Sequence, residues 1–331
     1  MTRTATWLLS AGVLLFIGLV ASQGFATMAA TLALAGWGLL LVALFHLLPL
    51  VLDAAAIRVL FAATGARGSM LDAVLARWAG ESANSLLPAG QIGGPVLMAR
   101  QLAVRGMRIE DAAAAITVNT TFQTFAQILF ALIGITLIGA YASHVSRHAL
   151  RLSALIASAL LALQVGGFYL VQRRGFFSKL MRAVNRFSGK RDWSGWLIKA
   201  EAIDAAVQLT YRRKTMVAAS FLLSLAGWLV GTGEVYLIVY LFGHPVSWSD
   251  ALVLESLGQA VRGAAFAVPG ALGVQEGGYL LLAPLAGLSS DMGLALSLAK
   301  RARELLLGLP GLLYLHLSGR ADAAVTRPAQ P

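Results

Sequence analysis

Apolar residues run for about twenty positions at a time along this chain, and polar residues are held to short interruptions and one long stretch. Runs of that length match a hydrocarbon core about 30 Å thick. They predict spanning helices near 7–25, 33–58, 111–141, 149–171, 215–242 and 292–317. Two further apolar stretches, 70–105 and 250–287, are each divided by a proline- and glycine-rich centre, LLPAGQIGGP at 86–95 and VPGALGVQEGG at 268–278. Broken backbone at membrane depth is tolerated only where protein or a water-filled cavity takes up the freed N–H and C=O groups. Each divided stretch therefore predicts a re-entrant hairpin of two half-helices. The breaks are assigned to Pro88, Gly90, Gly93 and Gly94 in the first and to Pro269, Gly270 and Gly273 in the second.

The polar stretch is 172–214, where eleven Lys and Arg stand against three acids. By the positive-inside rule it is a cytoplasmic linker, and counting spans from it puts both termini in the cytoplasm. Phe176, Phe177, Leu180, Trp193 and Trp196 alternate there with basic groups, so parts of it are expected to lie as amphipathic helices on the anionic leaflet. The opening MTRTATWLLSAGVLLFIGLVASQGFA also has the form of a cleaved signal peptide, but the span count needs it as an uncleaved first helix. The whole reads as one transmembrane domain over 1–320 and a tail at 321–331.

Sliding the sequence by 181 positions lays Pro88 on Pro269, Asp53 on Glu234, Gly106 on Gly287 and Glu110 on Asp291. The pattern of long span, broken hairpin, long span then coincides for units 33–141 and 215–317. In the topology above the two units enter from opposite faces, which predicts an all-α polytopic membrane protein built from two inverted repeats plus extra helices. That is the architecture of alternating-access transporters, a fold-level analogy that names no substrate.

Composition agrees on the solvent. Hydrophobic residues make up 58% and charged residues 12%, with a mean hydropathy of +0.75, more apolar surface than one soluble core hides. The net charge of +11 belongs to the linker and helix ends, as an anionic leaflet requires, and nucleic acid is not expected as a partner. With no cysteine, disulfides, iron–sulfur clusters and thiol catalysis drop out.

Against this apolar background the few intramembrane charges stand out. Glu276 sits in the second break, where a carboxylate costs about 2.5–3.5 kcal/mol to insert and calls for a partner or a function. In the last span Ser297, Lys300, Arg301, Arg303 and Glu304 share one face of the helix. Glu304 lies four residues after Lys300 and is expected to offset it, leaving two cations for Glu276, Glu255, Glu234 or a phosphate headgroup. The 181-residue register lays Asn119, Thr120 and Gln123 on Lys300, Arg301 and Glu304, so a cavity cationic on one wall and hydrogen-bonding on the other is predicted. Glu81, Arg77 and Arg100 of the first hairpin and Gln275 and Arg262 of the second complete the candidate substrate path. An i,i+4 ion pair explains Arg77 and Glu81 as well as substrate contact does. His46, close to Pro49 in a long apolar helix, reads as a packed or kink-filling residue.

Enzyme motifs are scarce. No HExxH, P-loop or GxSxG occurs, and the five histidines are too scattered for a metal set. No cofactor is expected, and catalysis is not.

At GESANSLLPAGQIGGPVLMAR (80–100) and AVPGALGVQEGGYLLLAPLAGL (267–288) the chain resembles the transmembrane, flippase-like region of the lysylphosphatidylglycerol synthase family, and more narrowly its stand-alone branch associated with hopanoid biosynthesis. Pro269, Gly270, Leu272, Gly273, Val274 and Glu276 carry the most specific part. One departure is Pro95, where the resemblance leads one to expect an acidic residue after the glycine pair. The resemblance implies a multi-pass protein of the bacterial inner membrane that translocates an amphipathic lipid, a hopanoid or an anionic phospholipid, between leaflets. No segment corresponds to the cytoplasmic synthase domain of bifunctional members. Two other readings stay open: a membrane-embedded lipid headgroup transferase using Glu276 as base and Lys300 or Arg301 for phosphate, and a scaffold for lipid-biosynthesis enzymes.

Overall fold

The computed structural model describes residues 36–87, 90–141, 165–187, 194–265 and 268–325, together with positions 33, 159, 162 and 163. The expected span 7–25, most of 149–171, Pro88 and the end of the tail lie outside the described residues. Regular structure among the described residues is helical throughout.

The chain order is α1 (Gly38–Thr64), α2 (Met70–Leu86), α3 (Gly90–Val104), α4 (Ile109–Tyr141), α5 (Phe176–Phe187), α6 (Ser194–Arg212), α7 (Lys214–Leu241), α8 (Trp248–Ala264), a 3₁₀ turn at Pro269–Ala271, α9 (Val274–Leu282), a second 3₁₀ turn at Ala283–Ala286, and α10 (Ser290–Val325). Three of the described helices are long and apolar enough to cross a membrane, within Gly38–Thr64, Ile109–Leu137 and Lys214–Leu241. α10 is longer than any of them, but the charges in its middle make it less apolar than those three.

Local chemistry explains why the chain turns where it does, and it does so twice in the same way. α1 is followed by the left-handed Gly65, and α7 by the left-handed Gly243. Four residues later comes a serine cap: Ser69 Oγ accepts from the Asp72 N–H and Asp72 accepts from the Ser69 N–H, and Ser247 and Asp250 repeat the arrangement. Each such capping box satisfies two orphan donors and starts the first helix of a hairpin.

The two hairpin breaks differ. The first is confined to the few residues between Leu86 and Gly90, so Gly90, Gly93 and Gly94, assigned to the break from sequence, fall within α3. Asn84 of α2 reaches across to that helix, its Oδ1 accepting the Gly94 N–H at 2.8 Å. The second break is a true distortion: Gly270, Ala271 and Gly273 all have positive φ (60°, 49° and 76°), a backbone that Ala271 adopts only against a steric cost. A side chain at Gly270 would press on the Ser85 carbonyl, so the second break sits directly against the end of α2.

Small residues let these helices approach closely. α1 and α7 lie against each other, with Gly227 facing Asp53 and the Pro49 carbonyl and Gly233 facing the Phe45 ring. Gly134 of α4 meets Ser256 of α8, Gly293 of α10 meets the Tyr279 carbonyl of α9, and Gly308 and Gly311 of α10 meet Leu86, Ser82 and Trp78 of α2. Two apolar clusters result. One gathers Ile57, Leu60, Phe61, Leu102 and Val118; the other gathers Val42, Val235, Ile238, Leu254 and Leu296. Along α1, His46 and Asp53 fall between Val42 of one cluster and Ala54 of the other.

The surface is the reverse of a soluble protein's. Leu40, Leu41, Leu44 and Leu48 of α1 and Leu305, Leu306, Leu309 and Leu313 of α10 are exposed, while Glu276 is 0% and Lys300 1% exposed. Charged groups are almost never fully buried in water-soluble folds unless paired. Here they form a layer inside an apolar shell, as a membrane solvent dictates.

Candidate functional site: a charged layer around a cavity

Three helices converge on His46 of α1. Its Nδ1 lies 2.7 Å from Glu234 Oε2 of α7 and its Nε2 lies 2.7 Å from Glu81 Oε1 of α2. Arg303 of α10 closes the group, with Nε and Nη2 each 3.2 Å from Glu234 Oε1, and Nη1 3.4 Å from Glu81 Oε1.

Two further groups extend from this centre. Towards α4, Arg77 Nη2 pairs with Asp53 Oδ2 at 2.7 Å, and Gln123 Nε2 donates to the same oxygen at 2.7 Å. The i,i+4 neighbour Glu81 is farther from Arg77, at 3.8 Å, so the expected pairing is secondary to one across helices. Towards α8 and α9, Lys300 Nζ is 2.7 Å from Glu255 Oε2 and 3.6 Å from Glu234 Oε1. Tyr279 Oη and Gln259 Nε2 donate to Glu255 at 3.0 and 2.8 Å.

Glu276 belongs to a fourth group. Its Oε2 accepts the Gly273 N–H at 2.7 Å, and its Oε1 accepts from Arg301 Nε at 2.8 Å. Arg301 Nη1 also reaches Glu304 Oε2 at 2.9 Å, and Glu304 pairs with Arg262, which in turn donates to Gln275 at 2.8 Å. The i,i+4 assignment of Glu304 to Lys300 is thus replaced: Glu304 serves Arg262 and Arg301, and Lys300 pairs with Glu255, both Arg262 and Glu255 belonging to α8.

Within these groups six carboxylates (Asp53, Glu81, Glu234, Glu255, Glu276, Glu304) meet five fixed cations (Arg77, Arg262, Lys300, Arg301, Arg303) and His46. Every cation has a carboxylate partner. Burying such charges is tolerable only with this degree of pairing. Two donors stay without partners, Arg77 Nε and Arg301 Nη2.

A cavity of about 200 Å³ opens onto the layer. Asp53, Glu81, Glu234, Glu255 and Glu304 line it, against Arg77, Arg262, Arg303 and His46. Thr120, Gln123, Thr124 and Gln127 of α4 add an uncharged part of the lining, with Gln123 hydrogen-bonded to Asp53. Of the three residues expected to form an uncharged wall, Thr120 and Gln123 line the cavity and Asn119 does not, and the charged lining holds more acid than base, in place of the cationic wall expected.

The remaining sequence candidates divide. Glu276, Lys300 and Arg301 do not line the cavity; Glu276 lies behind it, capping α9, and does not face it as expected. Asn119 is buried against Ser220 at 3.2 Å. Gln275 is buried and donates to Ser297. Arg100 is exposed, away from the cavity. Sequence reasoning passed over His46, Tyr279 and Gln259. For His46 the signal was available: an ionisable residue eight positions into an apolar helix is about 12 Å deep at 1.5 Å per residue, where such groups serve function by default.

The family model of the lysylphosphatidylglycerol synthase TM region matches residues 5–311. No curated protein matches the chain.

Proposed function

Because the chain belongs to the family of the lysylphosphatidylglycerol synthase transmembrane region, a membrane-protein family with a lipid-related role, we propose that it translocates an amphipathic lipid between the leaflets of the bilayer. The observation that carries this reading is the open cavity lined by charges from both halves of the chain, inside a shell of exposed leucines. At about 200 Å³ it is smaller than the ~300–1,000 Å³ of sites that engulf a whole small ligand. A polar headgroup fits such a space while the apolar tail stays in lipid. The acid-rich lining favours a headgroup without net negative charge, hence a hopanoid-type amphiphile over an anionic phospholipid.

In this proposal the compartment is the bacterial cytoplasmic membrane, with residues 172–214 and both termini on the cytoplasmic side and the two units inverted. α5 presents Lys179, Arg182 and Arg186 beside the exposed Leu180, a composition suited to the anionic leaflet. Asp204 of α6 fixes its start, accepting the Phe177 and Ser178 N–H groups at 3.0 and 2.8 Å.

The headgroup-transferase reading is less well supported. Glu276 and Lys300, its base and phosphate ligand, are buried and already partnered. The test is lipid movement in proteoliposomes of the purified protein, with fluorescent lipids of anionic, zwitterionic and uncharged polyol headgroup. Acceleration over empty vesicles for at least one class is expected. None for any class overturns the reading.

A further inference from the structure

Among the described residues His46 is the one imidazole in the charged layer, and its setting makes its proton count. Two carboxylate oxygens face its two ring nitrogens at 2.7 Å each. A carboxylate accepts and does not donate, so only a ring protonated at both nitrogens satisfies both contacts. The two acceptors belong to different elements, Glu81 to α2 and Glu234 to α7. An imidazolium at position 46 therefore ties the first hairpin to the first helix of the other unit.

A third group stands ready to replace one of these contacts. Arg303 Nη1 is 3.2 Å from His46 Nε2 and 3.4 Å from Glu81 Oε1. With the ring charged, this N–H serves Glu81, since Nε2 is itself a donor. With the ring neutral and protonated only at Nδ1, the Nε2 lone pair accepts from Nη1 and repels the Glu81 oxygen. Glu81 has somewhere to go, because its Oε2 is already 3.8 Å from Arg77.

We propose that His46 is a proton-binding site on the lipid path: charged, it clamps α2 to α7 through Glu81 and Glu234; neutral, it turns Nε2 to Arg303 and releases Glu81 to Arg77. The proton passes between Nε2 and water of the cavity that His46, Glu81 and Arg303 line. No other bond forms or breaks. The charge of the layer moves with it, from six carboxylates against six cations to six against five. The groups facing the ring are Glu81 of α2, Glu234 of α7 and Arg303 of α10; beyond them stand Arg77 of α2, Asp53 of α1 itself, and Lys300 of α10. α4 brings the uncharged Gln123, and among the described residues no group of α6 pairs with the layer. The proposal rests on the translocation reading and supplies it with a driving ion, the proton.

The absence of cysteine allows a direct test on the full chain. Cysteines placed at the exposed Leu71 of α2 and Tyr240 of α7 carry spin labels in lipid nanodiscs, and their separation is measured between about pH 5 and 8. Nitrogen-15 histidine NMR on the same sample, with the His46→Gln spectrum as reference, reports the protonation of His46. One protonation step at His46, and a label separation that changes with the same midpoint, are expected. His46→Gln and Glu81→Gln each remove the pH dependence of the separation; the second keeps the imidazole and covers the case in which the first fails to fold. In proteoliposomes, translocation changes about tenfold or more across that midpoint, the worth of one charged hydrogen bond. A His46 that keeps one protonation state throughout, a midpoint unrelated to it, or a pH response unchanged in both variants overturns the proton site even where lipid moves. A pH-linked clamp in a protein that moves no lipid at any pH overturns the translocation reading and leaves the proton site standing.

Discussion

Replacing Glu276 by glutamine tests how the second break is held together. The native carboxylate uses both oxygens, one for the Gly273 N–H at 2.7 Å and one for Arg301 Nε at 2.8 Å. An amide keeps one acceptor, so it satisfies the cap or the guanidinium and turns its NH₂ on the other. If the cap is kept, donor faces donor at a buried cation. Removing one partner of a buried ion pair costs about 3–5 kcal/mol. Because Arg301 retains Glu304 at 2.9 Å, the lower end, about 3 kcal/mol, applies here. Equilibrium unfolding of the purified protein in mixed micelles of a mild detergent and dodecyl sulfate measures it, for Glu276→Gln, Arg301→Gln and the double variant. The double variant carries no unpaired charge at the pair itself, so it is expected to be more stable than the sum of the single losses predicts, with a coupling of about 1–3 kcal/mol. Losses additive within about 0.5 kcal/mol would refute the pairing and leave Glu276 as a helix cap.

The Lys300–Glu255 pair gives a second cycle. Lys300→Met strands Glu255 with Tyr279 and Gln259 as its donors and is expected to cost about 3 kcal/mol or more, while adding Glu255→Gln restores most of it in the same unfolding assay. Gly293→Ala drives a methyl into the Tyr279 carbonyl between α9 and α10, and a loss of about 1–3 kcal/mol in thermal melting is the expected result. At the mouth of α2, burial works to raise the Asp72 pKa, but the Ser69 N–H and hydroxyl and the Arg105 guanidinium outweigh it and hold the carboxyl below its usual range. Its stabilising share is therefore present above the unfolded value of about 3.9 and lost as pH falls through the lower folded value. Asp72→Asn should remove that increment of acid sensitivity, measured as the change in melting temperature with pH.

The elements that hydrophobic run length specifies were legible. The spans read near 33–58, 111–141 and 215–242 correspond to α1, α4 and α7, with ends shifted by a few residues except at Thr64, where the left-handed Gly65 stops the helix later than the loss of hydrophobicity implies. The first break was placed too widely. Gly93 and Gly94 look like punctuation, yet both lie in α3, where Asn84 of α2 accepts the Gly94 N–H, and a side chain ten residues away is invisible to local composition. That Glu276 would find a cation of the last helix was also legible, since consecutive antiparallel elements bring equidistant residues to one depth. Which cation was not.

Rotation of one helix about its axis decides that choice, and no spacing rule reports it. Arg301 met Glu276 and Glu304, while Lys300 and Arg303, one and two positions to either side, turned to Glu255 and to Glu234. Counting charges from sequence left two cations of the last helix for Glu276, Glu255, Glu234 or a phosphate headgroup; in the structure those three carboxylates take Arg301, Lys300 and Arg303. What remains adjustable is the imidazole, read locally as a filler beside Pro49 because its two acceptors lie 35 and 188 residues away. An apolar replacement of similar volume often serves stability as well as a buried ion network or better, so stability alone is a weak reason for so many paired charges. On the proposed reading, a layer whose balance turns on one proton, beside a cavity that takes a headgroup, supplies a stronger one, because each pair would then hold its helix in one arrangement until the imidazole between Glu81 and Glu234 changes charge.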